Sequence, residues 1–194
     1  MPSVRRAAIV IASLSMALVG TTATAQATPK TKAGSHCVAN VTTHKTTCYD
    51  SFRDVIAAAT GGRVTDAPAT PEQAAKDKKF LAELNAPATS PAGARTAGAV
   101  NKVVGAILYE DWNYGGASLT LTIPAPCEND GQWDWQYDTL DDWNDSVSSL
   151  IPANNCWVAL SSDIYHSGTQ QEYHTATPYV GDAMNDRASS VSLL

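Results

Sequence analysis

The rhythm of apolar positions changes several times along the chain. Residues 7–20 form a nearly unbroken apolar run, with Arg5 and Arg6 before it and small polar residues after it. That layout predicts an export signal over 1–27, with Ala23-Thr24-Ala25 and Ala25-Gln26-Ala27 as cleavage sequences. The run is shorter than the about 20 apolar residues that a membrane span needs. Residues 37–47 then alternate around the polar centre Thr42-Thr43-His44-Lys45, which predicts a short hairpin. Ser51 with Asp54 three residues on predicts a capped helix start, Phe52, Val55 and Ile56 share its apolar face, and Gly61-Gly62 stops it. Thr70-Pro71-Glu72-Gln73 predicts a second helix within 69–85, running to Leu84. Its apolar side (Ala74, Phe80, Leu81, Leu84) is modest and predicts weak packing. Residues 86–102 are dominated by Ala, Pro, Gly, Ser and Thr and predict a flexible linker.

Beyond residue 102 the period drops to two. Leu119, Leu121 and Ile123 share one face of a strand, and Val191 and Leu193 share another. All 5 tryptophans lie here, at 112, 133, 135, 143 and 157. Short strands between turn residues predict an all-β sandwich or barrel over 103–194. A small hairpin-helix segment over 28–68 precedes it.

Charge sharpens this division. Residues 28–106 carry 10 basic and 6 acidic side chains, net +4; residues 107–194 carry 1 basic (Arg187) and 13 acidic, net −12. A field of that sign repels nucleic acid and anionic membranes and attracts cations. The 4 cysteines, even in number in an exported chain, predict disulfides. Of three pairings, Cys37–Cys48 and Cys127–Cys156 are expected, because each pair lies inside one compositional segment. No Cys-x-x-Cys or His-x-x-x-His pair supports a zinc site.

One pattern recurs within the acidic half. Asn144-Asp145-Ser146-Val147-Ser148-Ser149 returns as Asn185-Asp186-Arg187-Ala188-Ser189-Ser190, and an apolar strand end follows each copy. A duplicated pattern implies a duplicated structural unit. Asn, Asp and Ser side chains in tight turns also supply the oxygens that calcium, a hard cation with 6–8 oxygen ligands, requires. The same residues are common turn formers with no ion at all. Upstream, Tyr109-Glu110-Asp111-Trp112-Asn113-Tyr114-Gly115-Gly116, followed by Ser118, sets two aromatics around a hairpin with its Gly two residues after the second.

Signature and paired motif together resemble the microbial βγ-crystallins. The resemblance covers 103–194, just under half the chain, and implies a sandwich of two Greek keys with two calcium ions between them. It implies one site from Asn144, Asp145 and Ser146 with Ser189, and another from Asn185, Asp186 and Arg187 with Ser148. Ser146 and Arg187 would offer backbone carbonyls, and the hairpins would add carbonyls at Glu110 and Ser161. The second hairpin departs from the pattern: Leu160 stands at the first aromatic position, and the Gly of Tyr165-His166-Ser167-Gly168 falls one residue late. A distorted second hairpin with a weaker or empty site is therefore expected, with the motif nearest the first hairpin the stronger half.

The first key carries about ten extra residues, over 126–138. Their Trp133, Trp135 and Tyr137 are expected either to cover the core edge, stapled by Cys127, or to form a surface for an extracellular protein or glycan. No Gly-x-Ser-x-Gly elbow is present, His166 and His174 read as surface histidines, and no enzyme is expected. The reading is a secreted module, expected to be a monomer, whose calcium fastens the Greek keys. The rival reading, a secreted metalloprotease inhibitor or killer-toxin-like antagonist, rests on the fold the resemblance implies, and fold alone decides neither.

Overall fold

Two β-sheets stack face to face in the computed structural model, which describes residues 35–87, 102–128 and 130–194. The export signal and most of the 86–102 linker lie outside the described residues. The first sheet holds β1 (His36–Asn40), β2 (Thr46–Tyr49), β3 (Val103–Tyr109), β4 (Ser118–Ile123) and β6 (Ser149–Pro152), in the order β2-β1-β4-β3-β6. The second holds β5 (Trp135–Tyr137), β7 (Val158–Ser161), β8 (Gln170–Tyr173) and β9 (Ser190–Leu193), in the order β5-β9-β7-β8. Two Greek keys interlock in this arrangement. The first key sends β5 into the second sheet, against β9, and the second key returns Thr177 to bridge Leu150 of the first sheet. The keys therefore share one core.

Strand alternation sorts β3 between two cores. Val103, Ala106 and Leu108 face the core between the sheets, and Val104, Ile107 and Tyr109 face the other side. A bulge between Val104 and Ala106 resets the phase. The inner core also takes Leu119, Leu121, Ile123, Leu150, Val191 and Leu193, the alternation visible in the sequence.

The outer face of the first sheet is covered by three helices, α1 (Phe52–Ala59), α2 (Pro71–Ala74) and α3 (Lys78–Leu84). Ser51 caps α1 by accepting from the Asp54 N–H, and Gly61 and Gly62 take positive φ just beyond its end. The single helix predicted over 69–85 is two: the Asp77 carboxylate accepts from the N–H groups of Lys79 and Phe80, which starts α3 afresh. Its packing is also tight rather than weak. Phe80 and Leu84 are buried with Phe52, Val55, Ile56, Ile107 and Tyr109, and the Phe52 and Phe80 rings meet edge to face at 6.2 Å. The hairpin of segment 28–68 is built into the first sheet, since β1 runs parallel to β4 from His36↔Ser118 to Asn40↔Thr122. Both expected disulfides form, Cys37–Cys48 across that hairpin and Cys127–Cys156 between the keys. Among the described residues no helix is long and apolar enough to cross a membrane.

Candidate metal centres between the Greek keys

The two Greek-key hairpins are equivalent, and their hydrogen bonds fix the correspondence. Tyr114 N–H donates to Ser149 Oγ at 3.0 Å, and His166 N–H donates to Ser190 Oγ at 3.0 Å. Each of those hydroxyls donates in turn to a hairpin carbonyl, Ser149 to Asp111 and Ser190 to Asp163. Asp111 N–H reaches Gly115 O as Asp163 N–H reaches Ser167 O. Positive φ recurs at Asn113, Tyr114 and Gly116 and again at Tyr165, His166 and Gly168. Gly168 is therefore in register, and the second hairpin is not distorted. Ser161 occupies the position of Tyr109 and His166 that of Tyr114, so both aromatics are replaced while the backbone path is kept. At Gly116 an added Cβ would lie 2.8 Å from Asp111 Oδ2, and at Gly168 it would strike Ser162 and Asp163. Both positions admit only glycine.

The two motifs share this symmetry. Asp145 N–H donates to Ala188 O at 3.0 Å, and Asp186 N–H donates to Val147 O at 3.2 Å. Each motif is thereby hydrogen-bonded to the other across the key boundary. Asp145 and Asp186 both adopt left-handed backbone, φ 56 and 53. Asn144 and Asn185 each donate a side-chain N–H to the carboxylate of the next residue at 2.7 Å. The carboxylates stay exposed while Ser148 and Ser189 are buried beside them.

The motifs exchange hairpins. Ser189 of the second motif donates its hydroxyl to Ser162 O at 2.9 Å, placing the second hairpin with the first motif's Asp145. Ser148 of the first motif donates to Asp186 Oδ1 at 3.2 Å, and its N–H donates to Tyr109 O at 2.9 Å. The intact first hairpin thus stands with the second motif, the reverse of the order along the chain. By the same correspondence Ser162, not Ser161, is the counterpart of Glu110. Ser161 is fully buried, with its carbonyl accepting from Ser189 N–H and its hydroxyl without a hydrogen-bond partner. At the second cluster Trp112 also donates its indole N–H to Asn185 Oδ1 at 2.9 Å, and its ring lies tilted against that of Tyr179 with 4.4 Å between centroids.

Each cluster gathers one carboxylate, one amide, one buried hydroxyl and nearby carbonyls. This all-oxygen set fits a hard cation and would suit a thiophilic one poorly. Among the described residues no three His, Cys, Asp or Glu side chains converge as metal ligands. Any cation held here would depend on hydroxyls and backbone oxygens for most of its shell.

The extra loop divides its three aromatics. Trp135 packs against the inner core and Tyr137 is buried in it, because β5 pairs with β9 and turns them inward. Tyr137 is thus a core residue, and Trp135 is half-buried against the core. Trp133 stays about half exposed, 49%, with its ring 5.8 Å from that of His166. His166 is not the surface histidine predicted. Its side chain is 6% exposed, with Nε2 2.9 Å from Asp138 Oδ1 and Nδ1 2.9 Å from Ser192 Oγ. The Asp–His–Ser order resembles a hydrolase relay, but Ser192 is 1% exposed, which closes its hydroxyl to a substrate. Nothing in the sequence signals this network, because its members lie 26 and 28 residues apart.

No family model matches the chain, and no curated protein matches it. Solved structures do. A double mutant of a betagamma-crystallin domain from Clostridium beijerinckii is 34% identical, with 46% of this chain and 94% of that one aligned at a TM-score of 0.37. The unmutated domain is 28% identical, with 46% and 95% aligned at 0.36. A betagamma-crystallin domain from Flavobacterium johnsoniae is 22% identical, with 46% and 92% aligned at 0.36.

Proposed function

We propose that this chain, which belongs to the microbial βγ-crystallin family through its C-terminal half, is an exported module that binds two calcium ions between its Greek keys. The observation that carries the reading is reciprocal: each motif sends its buried serine hydroxyl toward the other motif's cluster. One site comprises Asn144, Asp145, Ser146 and Ser189 with the hairpin at Ser162; the other comprises Asn185, Asp186, Arg187 and Ser148 with the hairpin at Glu110. Bound calcium would supply positive charge and a rigid set of oxygen contacts. The chain's own residues do the rest: the left-handed Asp145 and Asp186 aim their carboxylates, and Ser148 and Ser189 tie the keys together. The net −12 of residues 107–194 favours any cation there. Two disulfides suit the oxidising conditions outside the cell, which is where the export signal would send the chain.

Binding only the folded state stabilises it by about 1.4 kcal/mol per site at tenfold saturation. Extracellular calcium modules bind at roughly 10⁻⁴ to 10⁻³ M. Calcium therefore acts here as a fastener and not as a fast signal. Thermal melts in millimolar calcium and in chelator test the reading. A higher midpoint in calcium is expected, and identical midpoints would exclude it.

A further inference from the structure

Trp133 borders a depression of about 480 Å³ whose other lining residues are Gly131, Gln132 and Gln136. Two hydrogen bonds tie described residues beside it. Asp130 Oδ1 accepts from Gln132 N–H at 2.8 Å, and Asp134 Oδ2 accepts from Glu128 N–H at 3.1 Å. Cys127–Cys156 anchors one end of the loop, and β5 anchors the other by its pairing with β9. Behind the exposed indole stands His166, itself held by Asp138 and Ser192.

We infer that this depression is a binding site for a neutral saccharide chain. Three observations select that class. An indole about half exposed offers a flat apolar face to the apolar side of a pyranose ring. The flanking Gln132 and Gln136 amides each present both donors and acceptors, as neutral hydroxyls require. Among the described residues no charged side chain lines the depression, although the half of the chain that holds it is net −12; Asp130 and Asp134, close by in sequence, each accept from a backbone N–H. None of the residues lining the depression belongs to the oxygen clusters, so the inference does not rest on the calcium reading.

The test is a titration of the wild-type chain with cellohexaose, xylohexaose and hexa-N-acetylchitohexaose, followed by two-dimensional NMR, once in calcium and once in chelator. At least one sugar should shift the Trp133 indole N–H and the Gln132 and Gln136 side-chain amides, in both conditions. Trp133→Ala should weaken that sugar about tenfold and Trp133→Phe far less. Absence of shifts with all three sugars would overturn the inference, and so would shifts confined to other residues. The wild-type spectra decide the matter even if Trp133→Ala fails to fold.

Discussion

The Ser148 hydroxyl donates to Asp186 Oδ1 at 3.2 Å across 38 residues of sequence, joining the first Greek key's motif to the second's. Its counterpart, Ser189, reaches the second hairpin at Ser162 O and stands beside Asp145. The sites are therefore separable by mutation. Ser148→Ala should remove about half of the calcium-dependent rise in melting temperature, Ser189→Ala the other half, and the double variant all of it. Full retention of the rise in the double variant would show that these hydroxyls have no part in binding.

The helical layer makes a second expectation. Phe52 and Phe80 are buried against the outer face of the first sheet. Phe52→Ala or Phe80→Ala should cost about 3–5 kcal/mol in urea unfolding, with a single transition for the whole described unit. A cost below about 1 kcal/mol would mean that the layer is only loosely attached.

How much of this could be read from sequence depended on where the signal lay. Tyr109, Tyr114 and Gly116 carry the first hairpin openly. The paired motifs were legible because their turns need Asn, Asp and Ser at fixed offsets. The second hairpin's register was hidden because Ser161 and His166 replace both aromatics, leaving Gly168 as the only marker, and a one-residue slip then places Leu160 where Ser161 belongs. Exchange of hairpins between motifs was hidden too, because it depends on how the keys interlock. Phe80 and Leu84 looked weakly amphipathic for lack of the partner they pack on, the far face of β3.

The disulfide between the keys bears on both the core and the loop. Closing the chain between Cys127 and Cys156, 29 residues apart, restricts the unfolded state by about 3–4 kcal/mol. A Cys127→Ala/Cys156→Ala variant should lose stability of that order in urea unfolding. An unchanged midpoint would show that the interlocked keys alone hold this end.

Acid should weaken the joint between the hairpin and the first sheet. His36 is held below its ordinary imidazole value of 6.5, chiefly by burial, with Glu72 opposing the shift. Its Nδ1 lies 2.9 Å from Ser118 Oγ, and its ring meets Phe52 edge to face. A depressed folded pKa means that the unfolded chain takes up the proton first. This contribution is fully present above pH 6.5 and is lost as pH falls through the folded value. Unfolding by urea at a series of pH values should show the decline beginning below 6.5, and His36→Gln should flatten that part of the profile. An unaltered profile would remove His36 as the cause.

The most direct measurement is isothermal titration of the export-processed protein with calcium, beside the Asp145→Ala, Asp186→Ala and doubly substituted variants. The account predicts two ions per wild-type chain, one for each single variant and none for the double variant. No binding heat in the wild type, together with a melting temperature indifferent to calcium, would contradict it.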